Sequence, residues 1–411
     1  MKTERACAAR GYAVLLAALL AARGAPAAPA DGSDAAAFAD CIAALQVKAR
    51  DAGISEPVVE DVLGNVRHVE RVVELDREQP EFTRTFADYY QRRVTDERVA
   101  RGRRLLAEHR ALFDRVQRRY GVPAQYLVAF WGLETNFGAY FGKLPVPDAL
   151  ATLACDRRRS AFFTGELIDA LQIIDAGDIS HERMLGSWAG AMGHLQFLPS
   201  VFRRYAVDGD GDGKRDIWGS IADAMASAGH FLSELGWQSG LRWGREVHLP
   251  DDFDYGLAGR DARRPLSVWA ELGVTDAYGG ALPRLQLPAA ILVPSGSEGP
   301  AFIAYDNFDV IMKWNRSEFY ALAVGRLADR IAGSVPLTRA PADAALRLTP
   351  DRVRELQADL RQLGFDAGEP DGLFGPDTRR ALSRFQASRS LLADGHPDED
   401  ALAAVHAAAA Q

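Results

Sequence analysis

One carboxylate stands out by its setting. In Phe130-Trp131-Gly132-Leu133-Glu134-Thr135-Asn136-Phe137-Gly138, Glu134 lies among aromatic residues near the C-terminal end of a predicted helix. Burial among rings disfavours the charged form, and the negative end of the helix dipole adds to that. A carboxyl group in such a place keeps its proton near neutral pH and can act as a general acid. The competing reading is a solvated Glu on an amphipathic helix, and Trp131 and Phe137 argue against it.

A second segment, Gly186-Ser187-Trp188-Ala189-Gly190-Ala191-Met192-Gly193-His194-Leu195-Gln196-Phe197-Leu198-Pro199-Ser200, is rich in glycine and alanine, which permit close approach of backbone or ligand. Ser187 and Gln196 supply neutral hydrogen-bonding groups. His194 is given no catalytic role. A third segment, Asp208-Gly209-Asp210-Gly211-Asp212-Gly213-Lys214-Arg215-Asp216, sets carboxylates at alternate positions and resembles an EF-hand calcium loop. With Asp208 as the first position, Lys214 supplies the backbone carbonyl. Gly219 stands where the bidentate Glu should be, and Asp223 is the substitute from the following helix. Asp208, Asp210, Asp212, Lys214 and Asp223 are thus the candidate ligands of one structural calcium ion; a solvated acidic turn is the alternative. No catalytic cofactor is expected.

These segments need elements to hold them. Apolar residues recur at helical spacing from Ala35 to about Tyr120. After Gly121-Val122-Pro123 a new helix carries Tyr126, Leu127, Phe130, Trp131 and Glu134, with Gly138 marking its end. Further helices are predicted over 160–175, 187–205 and 220–236. Short strands are predicted over 246–249, 286–293 and 301–305, where the apolar residues are β-branched or aromatic and the gaps between are rich in Gly, Pro and Ser. They form a small sheet inserted before a last helix, 315–331. The segment 333–348 reads as a linker, and a unit of about sixty residues follows.

At 411 residues, 48% hydrophobic and 25% charged, the chain is ordinary globular protein of two or three folding units. Lys2, Arg5 and Arg10 precede an apolar run from Tyr12 to Ala22, followed by the small-residue sites Ala25-Pro26-Ala27 and Ala28-Pro29-Ala30. That is a secretion signal, 1–30, too short to anchor the chain as a membrane span. Neither Cys7 nor Cys41 has the context of a lipoprotein cysteine, so a soluble periplasmic monomer without membrane anchor is expected. Removing four Lys/Arg and one Glu from totals of 48 and 56 leaves a net charge of −11, which excludes simple electrostatic binding to nucleic acid. Cys41 and Cys155 remain, either as a disulfide or as two buried thiols.

Taken together, from about Phe38 to Ala332, the segments around Trp131–Thr135, Ser187–Gly193 and Gln196–Ser200, the aspartate loop, and Tyr305-Asp306-Asn307-Phe308 with Trp314-Asn315 resemble the lytic murein transglycosylases of the membrane-bound lytic transglycosylase B type. The resemblance implies a mainly α (α+β), lysozyme-like catalytic domain over 35–332 and peptidoglycan glycan strands as partner. It implies Glu134 as sole acid/base, Ser187, Gln196, Asn315, Trp314 and Tyr320 lining the sugar site, and Arg158 and Arg159 where the family meets the peptide stem. Trp314 stands where the family can have Tyr. The final unit, 349–411, repeats Val353, Leu356, Leu360 and Leu363 at helical spacing and continues through Pro370-Asp371-Gly372-Leu373-Phe374-Gly375-Pro376 to Phe385-Gln386. It is similar to the peptidoglycan-binding domain type 1, a three-helix module. Two other readings stay open: a hydrolytic muramidase with a second carboxylate, for which Asp148 or Asp156 could be proposed, and a wall-binding protein without activity.

Overall fold

The computed structural model describes residues 32–78, 85–341 and 348–411. The expected secretion signal, and residues 342–347 of the expected linker, lie outside the described residues. In chain order the first helices are α1 (Gly32–Asp51), α2 (Glu70–Glu78), α3 (Phe86–Arg93), α4 (Asp96–Glu108), α5 (Arg110–Tyr120) and α6 (Ala124–Thr135). Strand β1 (Leu144–Pro145), α7 (Val146–Cys155), α8 (Ser160–Asp175), β2 (Leu185–Gly186), α9 (Pro199–Tyr205) and α10 (Ile221–Glu234) follow. Then come β3 (Gly244–His248), β4 (Arg264–Pro265), α11 (Leu266–Glu271), β5 (Thr275–Asp276), β6 (Pro288–Leu292), β7 (Ala301–Ala304), α12 (Asp306–Trp314) and α13 (Glu318–Ile331). The chain closes with α14 (Pro350–Gln362), α15 (Pro376–Ser388) and α16 (Glu399–Ala409). No helix among the described residues is long and apolar enough to cross a membrane.

The chain divides into two compact units. The first gathers 32–78, His109–Trp237 and Val310–Ala321. Its centre is α6, buried nearly all round, as expected of an element apolar on every face rather than on one stripe. Two local devices start that helix. Gly121 ends α5 in a left-handed conformation, φ 72°, and Pro123 opens α6 while Ala124 N donates to Gln117 Oε1 at 3.2 Å. Helices α7 and α8 pack along each other, and a disulfide joins Cys41 on α1 to Cys155 at the end of α7, with Cα atoms 5.9 Å apart. Of the two readings of this cysteine pair, the bonded one is observed.

The predicted helix over 187–205 is only partly present. Residues 187–198 form a compact loop, and α9 begins at Pro199. Gly190 at φ 79°, Gly193 at φ 70° and Gln196 at φ 49° are left-handed, which breaks any helical run. The glycines permit the left-handed turns that make this stretch a loop. Between α1 and α2 the helical pattern is likewise interrupted, by a π-helical turn at Val58–Val62.

The second unit gathers 85–108, Gln238–Asp309 and Leu322–Gln411. Its antiparallel sheet has the order β4-β6-β7-β3-β5, with Ile291 opposite Ile303 and Val247 opposite Ala301. The three longest strands fall where β-branched and aromatic runs predicted them. Val247, Trp269, Val274, Ile291 and Ile303 form its core, and Trp269 Nε1 donates to Ala289 O at 3.0 Å. The three C-terminal helices enclose Leu356, Leu360, Leu382, Phe385 and Val405. Buried Gln357 donates to Asp371 Oδ1, Leu373 O and Thr378 Oγ1, so the Asp371-Gly372 turn is fixed from inside. The module is also held to the sheet region. Arg379 Nη1 reaches Val293 O at 3.1 Å, Arg380 pairs with Asp261 at 3.0 Å, and Ser297 N donates to Asp394 Oδ2 at 2.9 Å. The described part of the expected linker is anchored too, because Glu246 accepts from Thr338 N and Arg339 N at 2.9 and 3.2 Å.

Candidate active site

Glu134 occupies the last turn of α6, half-buried, where Asn136 caps the helix at φ 49°. Two donors converge on one of its oxygens. Trp314 Nε1 donates to Glu134 Oε1 at 3.0 Å, and Tyr320 OH donates to the same atom at 2.5 Å. Both donors are fully buried, so neither side chain has freedom to swing away. The Trp314 ring is fixed by Phe130, Phe197 and Phe231, with ring centroids at 4.4, 5.4 and 5.1 Å. Thus α6, the 187–198 loop, α10 and the end of α12 meet around one indole. A carboxyl group oriented by two neutral donors can give and take a proton without a counter-charge to compete for it.

The candidate sugar-site residues hold their loops as well as offering polar groups. Ser187 Oγ accepts from Ala191 N at 3.1 Å, and Ser187 N donates to Ala191 O at 2.8 Å. Gln196 donates through Nε2 to Phe141 O and Gly193 O at 3.2 and 3.1 Å. Asn315 Oδ1 accepts from Ser317 N at 3.0 Å, and Ser317 Oγ accepts from Tyr320 N at 3.3 Å. Asn315 therefore helps to start α13 at the point that places Tyr320. Trp314 thus supplies an indole N–H and Tyr320 a hydroxyl to Glu134.

Arg158 and Arg159 lie together against Asp76 of α2, which is 3% exposed. Arg158 Nη1 is 3.1 Å from Asp76 Oδ2, and the Arg159 guanidinium also lies over the Phe163 ring at 4.9 Å. Arg77 pairs with Asp156 at 3.1 Å. Three guanidiniums thus face two carboxylates, which leaves an excess of positive charge. Asp148, the other carboxylate considered for a hydrolytic mechanism, accepts from Arg67 N at 3.3 Å, and its burial raises its carboxyl above the usual range.

In the aspartate loop, one carboxylate oxygen each from Asp208, Asp210 and Asp212 comes within 4.8 Å of the others. Gly211 and Gly213 turn the chain at φ 87° and 86°. Their N–H groups donate to the two Asp208 oxygens at 2.6 and 2.8 Å. These bonds, with that from Gly213 foremost, hold the Asp208 carboxyl below its usual range. Asp223 is buried under the loop, where its oxygens accept from Gly209 N and Asp216 N at 2.8 and 2.7 Å. It stands outside the convergent trio and closes the loop from below.

The residue whose importance the sequence reading missed is His194. It is 7% exposed, and its Nδ1 accepts from Trp131 Nε1 at 2.9 Å. Burial pushes its imidazole down to about 4. The ring is therefore neutral near pH 7, with its proton on Nε2.

Comparison with known proteins agrees with this architecture. The family model described as "Transglycosylase SLT domain" matches residues 37–329, and that described as "Putative peptidoglycan binding domain" matches residues 349–405. Membrane-bound lytic murein transglycosylase B of Escherichia coli is 30% identical over 250 residues, which cover 59% of this chain and 66%, just under two thirds, of that relative. SltB3 from Pseudomonas aeruginosa, solved in complex with NAG-NAM-pentapeptide, is 41% identical with a TM-score of 0.87, covering 90% of this chain and 99% of SltB3. Escherichia coli Slt35 in complex with calcium is 28% identical with a TM-score of 0.62, covering 71% of this chain and 92% of Slt35. The match over 37–329 takes in well over half the chain, so the protein belongs to the transglycosylase SLT domain family of lytic transglycosylase enzymes.

Proposed function

We propose that the protein is a periplasmic lytic transglycosylase. It cleaves the β-1,4 bond between N-acetylmuramic acid and N-acetylglucosamine in peptidoglycan, leaving 1,6-anhydro-N-acetylmuramic acid ends. The observation that carries this reading is the carboxyl group of Glu134, oriented by Trp314 and Tyr320 in an aromatic surround. SltB3 has also been solved with NAG-anhNAM-pentapeptide, at a TM-score of 0.86.

Glycosidases ordinarily use two carboxyl groups, one as acid and one as base or nucleophile. Here Glu134 does both jobs in turn. It first protonates the glycosidic oxygen that leaves C1 of the muramic acid. As a carboxylate it then takes the proton from that sugar's own C6 hydroxyl, whose oxygen attacks C1. The C1–O bond to the leaving sugar breaks, the C1–O6 bond forms, and Glu134 ends protonated. Because the nucleophile belongs to the same sugar, its effective concentration is high and no water has to be held. The 2-acetamido group can stabilise the charge on C1, with Ser187, Gln196 and Asn315 as neutral partners. Arg158 and Arg159, with their excess positive charge, suit the carboxylates of a peptide stem. The C-terminal module holds the wall and concentrates glycan around the cleft.

Asp208, Asp210 and Asp212, with the Lys214 carbonyl, fit a calcium ion: hard oxygen donors on a glycine-turned loop. When bound, the ion neutralises the mutual repulsion of three carboxylates and stiffens the loop. It takes no part in the chemistry.

The test is mass spectrometry of fragments released from purified peptidoglycan by residues 31–411 and by the Glu134→Gln variant. Anhydromuropeptides from the unsubstituted protein alone are expected. Reducing-end fragments would mean a muramidase, and no fragments from either would mean a wall-binding protein.

A further inference from the structure

We propose that His194 is a positioning residue for Glu134, holding the left-handed turn that ends the acid's helix. The proposal rests on the reading of Glu134 as acid/base and adds a part of the machinery that lies behind it.

Directly after Glu134 the backbone does something unusual. Thr135 closes α6, and then Asn136, Phe137 and Gly138 follow at φ 49°, 60° and 76°. Two successive residues with side chains in this region are disfavoured, because Cβ crowds the following carbonyl. Such a turn persists only where its surroundings over-determine it. Backbone bonds hold part of it, with Asn136 N and Phe137 N both donating to Trp131 O, and the side-chain contacts behind it converge on His194. Thr135 Oγ1 donates to His194 O at 2.8 Å, and the same hydroxyl accepts from Gly138 N at 2.9 Å. Trp131 Nε1 donates to His194 Nδ1 at 2.9 Å. The imidazole lies close against Gly138, where a Cβ would come within 2.4 Å of its Cε1. Residues three before, one after and four after Glu134 are thus all attached to His194.

His194 is itself fixed from the other side. Its backbone N–H donates to Ile217 O at 3.0 Å, and Phe141 packs edge-on to the ring at 4.8 Å. Gly193 passes so close to Ile217 that a Cβ would meet it at 2.7 Å. The ring's acceptor is the feature no apolar side chain of the same size can supply. Without it the Trp131 indole N–H is buried with no partner, and the indole must shift to find one. That shift moves the turn of α6 on which Glu134 stands, away from the fixed Trp314 and Tyr320 donors.

The experiment compares His194→Phe, His194→Asn, Trp131→Phe and the Phe/Phe double variant with the unsubstituted protein. Glu134→Gln runs beside them, on a soluble strand of alternating N-acetylglucosamine and N-acetylmuramic acid. His194→Phe keeps a ring and removes the acceptor; His194→Asn keeps an acceptor near the Nδ1 position. The expected result is a kcat about 30- to 100-fold lower for His194→Phe with KM within about threefold, as a displacement of about 1 Å at a catalytic group produces. His194→Asn should recover all but about fivefold. Trp131→Phe should match His194→Phe, and the double variant should be no slower than either by more than about threefold, since one bond is lost in each case. If His194→Phe does not fold, Trp131→Phe and His194→Asn carry the same comparison. Equal losses in His194→Asn and His194→Phe, a loss expressed in KM, or multiplying effects in the double variant would each overturn the proposal. An active Glu134→Gln protein would remove the acid/base reading and this one with it. An inert Glu134→Gln beside a fully active His194→Phe would remove this one alone.

Discussion

Tyr320→Phe isolates one of the two donors that orient Glu134. The ring is fully buried, so phenylalanine fills the same space and only the hydroxyl disappears. The Trp314 bond to Glu134 Oε1 at 3.0 Å remains. A hydrogen bond to a charged group is worth about 1.5–3 kcal/mol. The lost bond matters most in the half of the cycle in which Glu134 gives its proton to the leaving oxygen and becomes a carboxylate. With tenfold in rate for about 1.4 kcal/mol, kcat should fall about 10- to 150-fold. The hydroxyl is spent on Glu134 rather than on sugar, so KM should stay within about threefold. The assay is the initial rate of anhydromuropeptide release from a soluble glycan, read by liquid chromatography with mass detection, beside a thermal melt to exclude unfolding. A kcat within twofold of the unsubstituted protein would refute the assignment of Tyr320 as an orienting donor. A large rise in KM at constant kcat would refute it in another way, by making Tyr320 a binding group.

Replacing Cys41 and Cys155 together by serine opens a loop closed across a separation of 114 residues, and chain entropy assigns that closure about 4–5 kcal/mol. Urea unfolding should show a loss of that order with kcat retained, and a change below about 1 kcal/mol would show that the bond contributes little. Stability should also depend on pH through His194. Its folded-state pKa of about 4 lies below the ordinary 6.5, so the unfolded chain binds the proton more readily between those values. The stabilisation is complete above pH 6.5, is lost as pH falls toward 4, and amounts to roughly 3 kcal/mol in all. Urea midpoints at pH 7, 5.5 and 4.5 should fall more steeply for the unsubstituted protein than for His194→Asn, and parallel curves would count against a buried neutral imidazole. Calcium should raise the melting temperature, and the Asp210→Ala, Asp212→Ala double variant should lose that rise; an identical melting temperature with calcium and with chelator would remove the ion from the account.

The helical reading of Ala124–Thr135, the strands near 246, 290 and 302, and the three C-terminal helices were legible because each rests on local spacing. Hydrophobic periodicity and Gly/Pro punctuation act within a few residues, and nothing distant overrode them here. Glu134 stands out as a candidate for a related reason, since its aromatic neighbours Trp131 and Phe137 are close in sequence. The segment 187–198 is a loop where a helix is predicted, although its alanines and apolar residues suit a helix. Left-handed backbone at Gly190, Gly193 and Gln196 is a choice made by tertiary packing, in which Gly193 must pass close to Ile217 and Gly190 close to Leu150.

Sequence by itself determined the types of group available: one acid among rings, three alternating aspartates, the pair Cys41 and Cys155 beyond the expected secretion signal, and a run of small residues. Only the tertiary structure decided their partners. Trp314 and Tyr320 reach Glu134 across 180 and 186 residues of chain, and Trp131 reaches His194 across 63. The geometry of a hydrogen bond depends on both ends being placed to within a few tenths of an ångström, and that placement comes from packed elements remote in sequence. Local pattern specifies most elements, the 187–198 loop excepted, and leaves their meeting point to the core they share.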